Sequence, residues 1–149
     1  VTHSMGGILL RHMHDPRLNW QRAVMLAPPN AGSRLAAVLS DYKMFRWFYG
    51  PAGIELGSGA VWPDPPAPFA VIAGTRSFAL TNVTSWTVGR MFGPNRANDG
   101  TVAVDETKLP AMAAFAEVDA THTWIMNDPI AISLALTFLR SGRLDRSGS

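Results

Sequence analysis

Val1-Thr2-His3-Ser4-Met5-Gly6-Gly7-Ile8-Leu9-Leu10 decides how this chain is read. The order is that of a nucleophile elbow. A strand ends near Val1, Ser4 sits on a sharp turn, and a helix begins at once. Such a turn holds a serine hydroxyl in the open, with backbone N–H groups of the helix start facing any oxyanion that develops beside it. A helix-capping serine followed by small residues would be spelled the same way, so the rest of the chain has to supply the remaining chemistry. An elbow ordinarily follows several strands, whereas here it begins at residue 2. The expectation is therefore the C-terminal part of a longer protein, with the N-terminal strands of its sheet missing.

The 149 residues are 47% hydrophobic, and five Trp, seven Phe and two Tyr are ample for a core. No run of about 18 apolar residues occurs, so no transmembrane segment is expected. A net charge of +2 without a Lys/Arg cluster argues against a nucleic-acid partner. Arg140, Arg143 and Arg146 fall toward a Ser/Gly-rich end, and residues 144–149 read as a flexible tail. The lack of cysteine excludes disulfides, thiolate metal sites and a cysteine nucleophile, and leaves the compartment open.

Further along, Met5, Ile8, Leu9 and Met13 recur at helical spacing, and Asp15-Pro16 stops that helix near His14. Ala23 to Ala27 is a short apolar run opening into Pro28-Pro29-Asn30, as a buried strand does. A helix capped by Ser33 is expected to run through Leu39. The aromatic residues Tyr42, Phe45, Trp47, Phe48 and Tyr49 suit a pocket wall, a lid or a core helix equally. A Gly/Pro-rich, irregular stretch follows to residue 68. Phe69 to Gly74 is the clearest strand, continuous in apolar residues because both of its faces are covered. Ala114 to Ala120 is the last strand, and Pro129 to Arg140 is a helix with proline at its start and Gly142 past its end. This alternation predicts an α/β protein with a mainly parallel sheet and flanking helices. Functional side chains of such sheets gather at the carboxyl ends of the strands, where Ser4, Asn30, Asp99 and His122 all fall.

A serine hydroxyl is a weak nucleophile until a base takes its proton, and a carboxylate must fix the tautomer of that base. In the elbow-type arrangement the chain order is Ser, then Asp or Glu, then His. His3 adjoins the nucleophile and is expected to point away from it. His12 and His14 lie at the far end of the first helix, more than about 10 Å from Ser4 at a rise of about 1.5 Å per residue. Only His122 follows a carboxylate in the required order. For the acid, Asp99 in the turn Asn98-Asp99-Gly100 leads, on a flexible loop that lets the side chain swing toward a histidine. Asp105, Glu106 and Asp119 are its rivals. The backbone N–H of Met5 is the expected first oxyanion donor, with the second on a loop upstream of the elbow. His3 and Asn30 are candidate substrate-binding residues.

These residues resemble bacterial lipases and esterases of the α/β-hydrolase superfamily, in particular the triacylglycerol esterase/lipase (EstA) type. The resemblance rests on Val1 to Gly7, Leu26-Ala27-Pro28-Pro29-Asn30-Ala31-Gly32-Ser33, Gly50-Pro51-Ala52-Gly53, Val71-Ile72-Ala73-Gly74, Asn98 to Val104 and Thr121-His122-Thr123-Trp124-Ile125-Met126. It implies an α/β-hydrolase fold, with residues 1–143 as the C-terminal part of a single domain. It also implies Ser4 as nucleophile, Asp99 as acid and His122 as base in hydrolysis of a small-molecule or lipid carboxylic ester. Neither a cofactor nor a metal is implied. Thr2 departs from the pattern, since a glycine often stands there in the elbow. An amidase or acyltransferase on the same scaffold remains a rival. So does an inactive fragment, or one that works only when assembled through an exposed sheet edge.

Overall fold

A computed structural model describes residues 1–31, 62–77 and 96–144. The helix expected over 33–39, the aromatic residues at 42–49 and the block at 50–53 lie outside the described residues. Four strands form one sheet in chain order: β1 (Thr2–His3), β2 (Ala23–Leu26), β3 (Phe69–Gly74) and β4 (Ala114–Val118). Every pair is parallel, with Thr2 opposite Met25, Leu26 opposite Ile72 and Gly74 opposite Val118.

The unbroken apolar runs of β2 and β3 follow from burial on both sides. Side chains alternate across a strand, and here each alternate set meets a helix. Val24, Leu26, Ala70 and Ile72 pack under Ala131, Leu134, Ala135 and Phe138 of α2 (Pro129–Ser141). Ala23, Met25, Phe69 and Val71 pack on the opposite side with Leu10 of α1 (Gly6–Arg11) and with Leu109. The four inward residues of α2 stand at i, i+3, i+4 and i+7, a single helical stripe. Burying a side chain such as Leu134 or Phe138 contributes about 1.5–3 kcal/mol. The sheet is thus an α/β layer with a helix on each face.

Local signals set the ends of α2. The Asp128 carboxylate accepts hydrogen bonds from the N–H groups of Ile130 and Ala131, both at 2.9 Å, and Pro129 opens the first turn. Gly142 ends the helix at φ 76°, its N–H returning to the Phe138 carbonyl at 2.8 Å. Arg22 donates to the final carbonyls of Leu139 and Arg140.

Two elements are shorter than their sequence suggests. α1 stops at Arg11 rather than His14, because the His12 N–H turns back to the Leu9 carbonyl and Met13 is exposed. β4 stops at Val118 rather than Ala120, where the Ala120 N–H bonds the Val118 carbonyl and Asp119 pairs outward with Arg76. Leu144, expected at the start of the tail, packs against the core beneath α2, and 145–149 lie outside the described residues. No described helix is long and apolar enough to cross a membrane.

Candidate functional site

β1 delivers Ser4 to the carboxyl end of the sheet. The Ser4 N–H still pairs with the Leu26 carbonyl at 2.9 Å, as if the strand continued, but Ser4 itself turns to φ 53°. Its own carbonyl then accepts the Gly7 N–H at 2.9 Å and α1 begins. A non-glycine residue held in this left-handed region costs of order 1–3 kcal/mol, so the turn is strained and the surrounding bonds maintain it. Of the two glycines after the serine, Gly7 is the one the packing requires. A Cβ on Gly7 would lie 2.8 Å from the Met25 methyl and 2.9 Å from Pro28 Cβ, and one on Gly6 would sit 3.4 Å from Thr2 Cβ. The Gly6 distance is an ordinary contact, so Thr2 is accommodated without steric conflict. The Thr2 hydroxyl is buried and finds no hydrogen-bond partner among the described residues.

The second component follows β3. Asn98 Oδ1 accepts the Gly100 N–H at 3.0 Å while its amide donates to the Arg96 carbonyl at 2.8 Å, and Gly100 adopts φ 92°. This folds a tight turn around Asp99, which is 1% exposed. Its Oδ1 accepts the N–H groups of Thr101 at 3.0 Å and Val102 at 2.8 Å. The sequence suggests a swinging side chain on a flexible loop; the structure instead fixes a buried carboxylate by backbone donors, as a buried charge requires. Gly74, the last residue of β3, lets this turn approach, since a Cβ there would lie 2.8 Å from Asp99 Cβ and 2.6 Å from the Ala120 carbonyl oxygen.

The third component follows β4. The His122 N–H donates to the Asp99 carbonyl at 2.9 Å, and His122 Nδ1 meets Asp99 Oδ2 at 2.8 Å. A carboxylate only accepts, so Nδ1 carries the proton and Nε2 keeps its lone pair. Nε2 lies 2.9 Å from Ser4 Oγ, positioned to accept the hydroxyl proton. The structure thus brings Ser4, His122 and Asp99 into one hydrogen-bonded line across three strand ends. The Met5 N–H, beside the serine, donates to no acceptor among the described residues.

The rivals for the acid are engaged elsewhere. Asp105 pairs with Arg96 at 2.6 Å and Asp119 with Arg76 at 2.5 Å, while Glu106 accepts the Ala103 N–H and lies 3.5 Å from Arg96. His12 is exposed, and His14 bonds the Asp64 carbonyl at 3.1 Å.

Both candidate substrate-binding residues have other employment. Asn30 is 4% exposed, its amide donating to the Thr107 carbonyl at 2.8 Å and its Oδ1 accepting from Arg11. It braces the loop after β2 against the turn at 104–107. His3 is half-buried, and its Nε2 bonds the His122 carbonyl at 2.9 Å. Burial, and then the neighbouring His122, lower the His3 pKa below its ordinary 6.5.

Arg11 is a residue that sequence reasoning passes over. Although charged, it is 4% exposed, and its guanidinium donates to the carbonyls of Pro63, Trp62 and Asn30 at 2.6, 2.5 and 3.0 Å. It also lies over the Trp62 ring at 5.6 Å. Arg11 ties the end of α1, the helix that follows the serine, to two loops. The Trp62 and Pro63 carbonyls lie about 50 residues away in the chain, so no local spacing announces them.

No family profile matches the chain, and no curated protein matches it significantly. Two solved structures are similar. Bacillus licheniformis lipase BlEst2 in its propeptide form aligns over 100% of this chain and 38% of its own, with TM-score 0.63 and 18% identity. The fold is similar to a bacterial lipase's. The mature form of the same lipase aligns over 80% of this chain and 58% of its own, with TM-score 0.48 and 20% identity. The chain therefore spans less than two thirds of the length of either structure.

Proposed function

We propose that these residues form the nucleophile, base and acid of a serine hydrolase of the α/β-hydrolase fold that cleaves carboxylic esters. The observation that carries this reading is the continuous line Ser4 Oγ, His122 Nε2, His122 Nδ1, Asp99 Oδ2, with contacts of 2.9 and 2.8 Å and the serine at φ 53°. The likeness in fold to a lipase supports it.

Ser4 Oγ attacks the ester carbonyl carbon while His122 Nε2 takes the hydroxyl proton. The imidazolium that forms is stabilised by the Asp99 carboxylate, itself held by two backbone N–H groups. Negative charge passes to the former carbonyl oxygen, and the Met5 N–H is one donor aimed at it. Collapse of the intermediate releases the alcohol, which receives the proton from His122 and leaves an acyl group on Ser4. Water, deprotonated by the same imidazole, then frees the acid and restores the serine.

Treatment with a fluorophosphonate probe, followed by peptide mass mapping, tests the reading. The expected adduct is on Ser4, and it disappears in Ser4→Ala. A folded protein that remains unlabelled at Ser4 would overturn the proposal.

A further inference from the structure

The residue before the serine makes a contact that the relay itself does not require. His3 belongs to β1, whose pairing with β2 sets His3 opposite Leu26. Its ring reaches to the His122 loop, Nε2 lying 2.9 Å from the backbone oxygen of His122. A carbonyl oxygen only accepts, so His3 Nε2 bears the proton and the ring is the donor. The two imidazole centroids stand 5.0 Å apart at 44°. The peptide groups of His122 are therefore gripped on both sides. Its N–H is held by the Asp99 carbonyl and its carbonyl by His3.

We infer that His3 is a positioning residue, which sets the separation of Ser4 and His122 by anchoring the backbone of the base to the strand that carries the nucleophile. This rests on the ester-hydrolase reading of the same site. Among the described residues, the hydrogen bonds that join the loop after β4 to the elbow are the one from His3 and the Ser4–His122 contact itself. That contact must break and re-form as the proton moves, so it cannot hold the geometry through a turnover. Sub-ångström placement of reacting groups carries a large share of rate, and a displacement of about 1 Å costs on the order of 100-fold. His3 has to stay neutral for this role, because a cation here would oppose formation of the His122 imidazolium. The charged and titratable groups facing it are His122 and Asp99, and burial holds its pKa down.

The test compares His3→Phe, which keeps a ring and loses the donor, with His3→Gln, whose amide nitrogen can donate at nearly the same place without titrating. Hydrolysis of a p-nitrophenyl ester is expected to show kcat reduced about 10-fold or more in His3→Phe, with KM nearly unchanged. His3→Gln is expected to recover kcat to within about 3-fold of the parent protein. The proton on His122 Nδ1, followed by NMR in the protein without substrate, is expected to exchange faster in His3→Phe and at the parental rate in His3→Gln. Parental kcat in His3→Phe, or equal losses in both variants, would overturn the inference. The two readings fail differently. If the parent protein neither hydrolyses the ester nor labels at Ser4, the hydrolase reading fails. The Nδ1 exchange rates still decide whether His3 anchors His122, and unchanged exchange in His3→Phe refutes the anchor.

Discussion

Gly74→Ala tests whether the end of β3 is the seat on which the acid rests. The φ of Gly74 lies outside the left-handed region, so an alanine there meets a steric obstacle and no backbone penalty. Its Cβ would stand 2.8 Å from Asp99 Cβ, where ordinary contact begins near 3.4 Å, so Asp99 must retreat by about 0.6 Å. The Ala120 carbonyl oxygen, at 2.6 Å, must retreat further still. That oxygen lies two residues before His122, so the acid and the base are pushed by the same methyl group. The Asp99–His122 bond is now 2.8 Å. Lengthened by the acid's displacement alone, it leaves the range of about 2.7–3.2 Å in which such bonds are effective. Overpacking of this kind costs about 1–3 kcal/mol of stability, and the misplacement costs on the order of 100-fold in kcat. Urea unfolding and ester hydrolysis, measured on the same preparation, separate the two effects. A folded Gly74→Ala variant with kcat within about 3-fold of the parent would show that the acid is not seated there.

Asp99→Asn keeps its Oδ1 on the N–H groups of Thr101 and Val102 and turns an NH2 toward His122 Nδ1. The imidazole then protonates on Nε2, and kcat is expected to fall about 10⁴-fold with little change in fold; a loss below about 10-fold would return the acid role to another carboxylate. Ser4→Gly and Ser4→Ala both abolish hydrolysis, but only glycine is at ease at φ 53°. Thermal denaturation should therefore place Ser4→Gly above Ser4→Ala by about 0.5–1 kcal/mol, and the reverse order would deny that the elbow is strained. Thr2→Val replaces a buried, unpartnered hydroxyl with a methyl of the same shape, and stability is expected to rise by up to about 1 kcal/mol; a lower midpoint would mean that the hydroxyl has a partner. Because the folded protein depresses the pKa of His3, the unfolded chain binds its proton more readily. The contribution of His3 to stability is therefore complete above its ordinary 6.5 and falls away on acidification below it. Urea midpoints across this interval should decline less in His3→Gln, and parallel declines would remove His3 as the source.

Much of the layout is legible because the relevant signals are local. β2 and β3 announce themselves as unbroken apolar runs, and both ends of α2 are marked by Asp128-Pro129 and Gly142 within one turn of the helix. Ser4, Asp99 and His122 can be selected as neighbours from chain order and from their position after strands, and His122 does lie within hydrogen-bond distance of both Ser4 and Asp99. What stays illegible depends on partners distant in the chain. Asn30 looks like a site residue because it follows a strand, yet the Thr107 carbonyl takes its amide. Asp99 looks mobile because Asn-Asp-Gly is turn chemistry, and its burial becomes visible only once Gly74 and His122 arrive against it. Arg11 reads as a solvated helix terminus until the carbonyls at 62 and 63 are placed around it. His3 presents no pattern of its own, because its acceptor is a backbone oxygen, and a backbone oxygen leaves no trace in a sequence.

Ser4 and His122 are separated by 118 positions in a chain of 149, so the contact between them joins distant parts of the sequence. A ribosome adding about 5–20 residues per second makes Ser4 roughly 6–24 s before it makes His122. α2, which covers β2 and β3, emerges later still. Throughout that interval the Ser4 hydroxyl lacks the imidazole contact on which the proposed activation depends. On the hydrolase reading proposed above, reactivity at Ser4 would report completed folding, gained when β4 and the His122 loop have docked.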